Sequence, residues 1–121
     1  MNMTLKEDLV FLDLGYKHAF TGNGFMIEFN SILIKKGYCW DGASGGASDG
    51  KRIGGLPVTW KATCIHDILY QRKNPLSRKR IDELFYREMK TAGFKRAYIY
   101  YICVRLFGWM FYNGQMKQNR N

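Results

Sequence analysis

The stretch TCIHDILYQR places His66, one of the chain's two histidines, directly before Asp67, with Tyr70 four residues on. A histidine beside a carboxylate, with a tyrosine one helical turn away, is a set from which proton-transfer chemistry can be assembled. On a helix, His66 and Tyr70 share a face with Ala62 and Leu69, while Asp67 points about a quarter turn away. A second acid, Asp82 in SRKRIDELFYREM, precedes Phe85 and Met89 at three- and seven-residue spacing and so falls on the core side of its helix. A buried acid requires a partner. If the two helices run antiparallel, Asp82 meets the His66 and Tyr70 face. There it accepts the imidazole N–H, fixes the tautomer and leaves the other ring nitrogen as a general base. The alternative is structural: His-Asp pairs arise by chance, and an acid near a helix N-terminus is favoured by the helix dipole alone.

Upstream of this pair, GYCWDGASGGASDGKRIGG carries Gly42, Gly45, Gly46, Gly50, Gly54 and Gly55 within fourteen residues. That much backbone freedom is wasteful in a regular element, so residues 38–56 read as a glycine-rich loop, either cradling a ligand or forming a mobile lid. Several backbone carbonyls can turn toward one point in such a loop. With a carboxylate from a rigid helix they form the oxygen cage that Ca²⁺ prefers. Asp67 is the helix ligand in this reading, and Asp41 with carbonyls between Tyr38 and Gly42 are the loop ligands.

The expected fold class is α+β in a single domain over residues 1–121. Residues 1–37 read as two to four antiparallel strands, with Asn23-Gly24 suited to a hairpin turn because both positions accept positive φ. Pro57 marks a helix start, and that helix runs to about Arg72, before Asn74-Pro75. Ser77 is the expected N-cap of a second helix ending at Met89 or Thr91, with Ile81, Leu84, Phe85 and Met89 as its apolar stripe. Together these two form a helical hairpin. Ala97 to Tyr112, AYIYYICVRLFGWMFY, is apolar except at Arg105 and Gly108. It is too short for a membrane span and is either the core helix of the domain or an element in a membrane interface. The need to bury aromatics in a small domain favours the core. Residues 113–121 form a polar tail.

The three cysteines, Cys39, Cys64 and Cys103, have no CxxC spacing. They indicate neither a disulfide framework nor a zinc site, and any metal is expected to be oxygen-bound. The opening MNMTLKEDLVFLDLG has charges where a signal peptide needs an apolar run, which points to a protein made and used inside a cell. The net charge of +9 is unevenly placed: residues 61–121 hold thirteen Lys/Arg against four Asp/Glu, whereas residues 1–60 hold six of each. Such a half faces either water or a phosphate-bearing partner, an anionic lipid surface or nucleic acid. RKNPLSRKR, with Arg78, Lys79 and Arg80, is the obvious anion-contact run. Nucleic acid is the less favoured of the two partners.

In order, the GYCWDGAS turn, HDILY and RIDELFYREM resemble a family of small uncharacterised proteins of tailed bacteriophages and prophages, over about Phe20 to Gly108. More remotely, the same motifs are similar to the phospholipase A₂ superfamily, above all its disulfide-poor parvovirus-capsid branch with an HDxxY motif. That resemblance implies a three-helix phospholipase-like region. In it His66 is the catalytic histidine, Asp82 its orienting acid, Tyr70 a supporting tyrosine and Asp67 the Ca²⁺ ligand, with loop carbonyls at Trp40 and Gly42. It implies Ca²⁺-dependent hydrolysis of glycerophospholipid esters at an anionic membrane, with Trp109 and the Arg78, Lys79 and Arg80 run as membrane contacts. The location implied is the host bacterial cytoplasm or the virion. The competing reading is a non-enzymatic phage accessory or virion protein that binds a host protein, membrane or nucleic acid through its basic half. The disulfide ladder of the secreted enzymes is absent.

Overall fold

The computed structural model describes residues 3–41, 52–53 and 56–113. The chain is α+β: small antiparallel sheets come first and three helices follow. Strands β2 (Leu9–Phe11), β3 (Phe20–Thr21), β4 (Phe25–Glu28) and β5 (Ser31–Ile34) form a four-stranded antiparallel sheet in the order β2-β5-β4-β3. Alternation along β4 and β5 sends Phe25, Ile27, Ile32 and Ile34 to the buried face, in the register Phe25↔Ile34 and Ile27↔Ile32. Each such side chain stabilises the fold by about 1.5–3 kcal/mol through burial.

Asn23-Gly24 does turn β3 into β4, closed by Gly22 N–H donating to the Phe25 carbonyl at 2.9 Å, but only Gly24 takes a positive φ. The tighter turn lies between β4 and β5, where Phe29 and Asn30 both sit at positive φ (54° and 60°). The Asn30 side chain secures it by accepting from the Gly15 and Tyr16 amides at 2.7 and 3.0 Å.

The region expected to be loop contains further strands. β6 (Cys39–Trp40) pairs antiparallel with β1 (Met3–Thr4), and β7 (Arg52–Ile53) pairs with β8 (Leu56–Pro57). Residues 42–51 and 54–55, which hold all six glycines of the expected loop, lie outside the described residues, as does the tail from residue 114. Pro57 belongs to β8 and not to a helix N-terminus. Helix α1 begins three residues later and spans Trp60–Gln71, with Thr59 at its N-cap.

Helix α2 (Arg78–Thr91) starts as the sequence predicts, the Ser77 hydroxyl accepting from Arg80 N–H at 3.1 Å. The link between the helices is built on fully buried Asn74, which donates to the Leu69 and Arg72 carbonyls and accepts from Leu76 N–H. Contacts climb in opposite senses along the pair, Tyr70 near Arg78, His66 near Asp82 and Ala62 beside Phe85 and Met89, so α1 and α2 are antiparallel. Arg80 and Arg87 stitch α2 to the sheet by donating to the Leu12, Asp13 and Leu14 carbonyls.

Helix α3 (Ala97–Phe107) continues into a 3₁₀ turn (Gly108–Phe111). The expectation that this apolar segment forms the central core is not met. Ala97 and Gly108 are its buried residues, Tyr100 and Val104 pack partly against Phe85, Met89 and Phe94, and the outer face is open. The core instead lies between the sheet and the α1-α2 hairpin, with Ile65, Ile68, Leu69, Ile81 and Leu84 meeting Phe25, Ile32 and Ile34. Those residues already fill the interior. No helix among the described residues is long and apolar enough to cross a membrane.

Candidate active site

Asp82 is fully buried and is the hub where all three helices meet. Its Oδ1 serves α1: His66 Nε2 lies 2.9 Å away and the Tyr70 hydroxyl donates at 2.7 Å. Its Oδ2 serves α2 and α3: Arg105 Nη1 donates at 2.7 Å and Arg78 Nη1 approaches at 3.4 Å. Arg78 also donates to the Val104 and Arg105 carbonyls at 2.9 and 3.2 Å, satisfying groups at the end of α3. Gly108 permits this approach, since a Cβ there would stand 2.5 Å from the Tyr70 hydroxyl.

Burial pushes the Asp82 carboxyl up, but hydrogen bonds from His66 and Tyr70, the His66 charge and the Arg105 bond outweigh it and hold it below the usual range. Asp82 is therefore a carboxylate and can only accept. Neutral His66 consequently carries its proton on Nε2, and Nδ1 presents a lone pair. No described residue hydrogen-bonds Nδ1. The ring is held between Tyr70 and Phe85, with centroids 4.1 and 4.4 Å away. Burial and the bond to Asp82 push the Tyr70 phenol well up, so it stays a donor.

His66 lines an open pocket of about 410 Å³ with Asp67, Asp41, Tyr100, Val104 and Phe111 on its walls. Asp67 Oδ2 accepts from the Tyr38 hydroxyl, and no described residue hydrogen-bonds its other oxygen. Burial raises the Asp67 carboxyl; Tyr38 and His66 oppose this, the Asp41 charge adds to it, and the net displacement is upward. Two carboxylates that repel across one pocket, one with an oxygen to spare, suit a hard cation with oxygen ligands. No group of three or more His, Cys, Asp or Glu side chains among the described residues could hold a metal, so further ligands would have to be carbonyls.

Of the residues singled out from the sequence, His66, Tyr70 and Asp82 are joined directly, and Asp67 and Asp41 face the adjoining pocket. The Trp40 side chain is buried and donates to Thr63 Oγ1 at 2.9 Å, which leaves only its backbone for any ligand role. Gly42 lies outside the described residues. Arg78 and Arg80 are engaged within the fold, Lys79 is exposed, and Trp109 is 65% exposed. Arg105 and Tyr38 were missed. A lone arginine in an apolar helix was the signal for the first, because such a charge must find a partner if its helix packs at all. Tyr38 gave none beyond its place in GYCWDG. Cys64 is buried, its thiol pushed up to about 12 by burial and by Asp67, which makes it unreactive.

Neither a curated protein nor a solved structure matches the chain. A family model described as "Protein of unknown function (DUF1353)" matches residues 25–104, from β4 through most of α3. That span includes His66, Tyr70 and Asp82 and stops one residue short of Arg105. The match covers well over half of the sequence, and the chain belongs to the DUF1353 family.

Proposed function

We propose that this protein is a Ca²⁺-dependent, phospholipase A₂-like ester hydrolase of phage origin, working in the host cytoplasm or carried in the virion. One observation carries the reading: His66 is held through Nε2 by a buried carboxylate, while Nδ1, which no described residue hydrogen-bonds, belongs to a ring lining the pocket shared by Asp67 and Asp41. Nδ1 takes a proton from a water molecule, whose oxygen attacks the ester carbonyl of a glycerophospholipid. Asp82 stabilises the imidazolium that forms, and the same proton passes to the departing alkoxide, releasing a fatty acid and a lysophospholipid. Tyr70 holds Asp82 in place during the transfer. Asp67 and Asp41 would hold Ca²⁺, which when bound supplies positive charge for the lipid phosphate and the developing oxyanion.

A specific feature favours the alternative, a non-enzymatic phage accessory or virion protein. Arg105 and Arg78 share Asp82 with His66, and each draws on the negative charge that would otherwise stabilise an imidazolium. A site tuned for stability has this form. Nucleic acid draws less support as its partner: Arg72 donates to the Asn23 carbonyl, Arg78 and Arg80 are engaged internally, and Lys73 and Lys79 are the exposed cations left in that run.

Fatty-acid release from phosphatidylglycerol vesicles, with Ca²⁺ or with chelator, separates the readings. Release that needs Ca²⁺ and is lost in folded His66→Ala and Asp67→Asn variants is expected. Release equal in wild type and variants, across several head groups, rejects hydrolysis and leaves the scaffold reading.

A further inference from the structure

We propose that the outer face of α3 and the 3₁₀ turn docks onto an anionic lipid surface. The proposal rests on the hydrolase reading for the role of the pocket beneath, but the contact itself requires no catalysis. Ile99, Leu106, Phe107, Trp109, Met110 and Phe111 are each more than half exposed on this one segment. Arg105 is the only charged residue between Ala97 and Asn113, and its guanidinium turns inward to Asp82. The exposed face, about 16 Å of helix plus a 3₁₀ turn, therefore presents no charge of its own. Apolar area on that scale marks a contact surface.

Charge identifies the occupant. From residue 89 to residue 113 the chain has no Asp or Glu, and with Arg105 turned to Asp82 the remaining cations are Lys90, Lys95 and Arg96. Lys90 and Lys95 are exposed just before the helix, Lys90 Nζ lying 5.1 Å from the Tyr86 ring centroid. An apolar face with an exposed indole, preceded by exposed cations and free of acidic residues, matches the acyl boundary and anionic headgroups of a bilayer. A second copy of this chain would instead bring the same cations against one another. The inner side of the segment supplies Tyr100, Val104 and Gly108 to the His66 pocket, and exposed Phe111 lies at its edge, so a lipid would pass from bilayer to pocket along one element.

The test uses the full chain and vesicles of ether-linked lipids, which no esterase can alter. Flotation with phosphatidylglycerol vesicles is compared with phosphatidylcholine vesicles, with brominated lipids to quench Trp109, the most exposed of the tryptophans. Preferential binding to the anionic vesicles with quenching is expected. The Ile99→Glu/Leu106→Glu double variant, at positions 58% and 59% exposed, should keep the wild-type melting temperature and bind about 100-fold more weakly. Binding undiminished in the double variant, or without quenching, would overturn the assignment. So would failure to bind, or a wild-type dimer that the double variant dissociates. Each of these leaves hydrolysis of dispersed ester substrates to be judged separately.

Discussion

Replacing Asp82 by Asn preserves shape and inverts chemistry. The carboxylate accepts on both oxygens, from His66 and Tyr70 on one and from Arg105 and Arg78 on the other. Asn can accept on one side only. Its NH₂ cannot face the guanidiniums, which have no acceptor, whereas the Tyr70 hydroxyl and an unprotonated His66 Nε2 can both accept. The amide therefore turns its nitrogen toward α1, and the His66 proton moves to Nδ1. The Arg105 bond at 2.7 Å and the two bonds from α1 lose charge assistance, about 1 kcal/mol each, while the 3.4 Å approach of Arg78 counts for little. Relief of the buried charge returns part of this, which leaves a cost of about 2 kcal/mol. Asp82→Ala, which strips His66, Tyr70 and Arg105 of their shared acceptor, should cost about 3–5 kcal/mol. Urea denaturation measures both. ¹⁵N spectra of histidine-labelled protein read the tautomer, with His18 as internal control: Nε2–H in wild type, Nδ1–H in the variant. Under the proposed hydrolase reading, loss of a correctly placed base would lower turnover by about 10⁴-fold. A wild-type His66 protonated on Nδ1, or a tautomer unaffected by Asp82→Asn, would refute the reasoning whatever the activity.

The Asp82 carboxyl is held below its unfolded value, so its stabilising effect is complete above about pH 4 and is lost as pH falls through the depressed folded value. The stability gap between wild type and Asp82→Asn should accordingly narrow in urea titrations taken from pH 7 down to pH 2. Asp67 is displaced the other way, its charge being disfavoured at neutral pH. In chelator, Asp67→Asn should therefore raise stability by up to about 1 kcal/mol, discounted for screening at the pocket mouth, and under the proposed Ca²⁺ reading it should abolish Ca²⁺ binding by calorimetry; a destabilised variant would contradict the first expectation. Gly108→Ala would place a methyl 2.5 Å from the Tyr70 hydroxyl and 3.1 Å from Arg78 Nη1. It should cost about 1–3 kcal/mol by thermal melting and broaden the His66 ring signals.

What the sequence made legible was local. The Ser77 cap, the α2 stripe and the pairing of His66 and Tyr70 with Asp82 follow from helical spacing, which needs no knowledge of distant partners. Elements that depend on distant partners were not readable. Cys39–Trp40 becomes a strand only because Met3–Thr4 lies beside it, and nothing near Pro57 says that it pairs with Arg52 and so moves the helix start to Trp60. Phe29 at positive φ runs against its own preference; the turn is held by Asn30, whose side chain is engaged by amides fourteen and fifteen residues upstream. The apolar run of α3 was misread for a different reason: composition reports that a segment avoids water, not which surface covers it.

Arg105 ties that open helix to the dyad. Arg105 is anchored on α3, its guanidinium reaches the same carboxylate that orders His66, and Arg78 grips the adjoining carbonyls. Asp82 thus divides its oxygens between the helix that carries His66 and Tyr70 and the helix that carries the exposed apolar face. Displacing α3 by even a fraction of an ångström stretches the 2.7 Å bond on Oδ2 and returns negative charge to Oδ1, where it strengthens the hold on His66. Arg105→Met tests this split. If Arg105 draws charge away from Asp82 Oδ1, the variant should lose stability, because a buried pair is broken, and yet tighten the His66 bond to Oδ1, seen as a downfield shift of the His66 Nε2–H proton in NMR spectra. A His66 Nε2–H signal unchanged in a folded Arg105→Met variant would mean that the two oxygens act independently and that α3 has no purchase on the site.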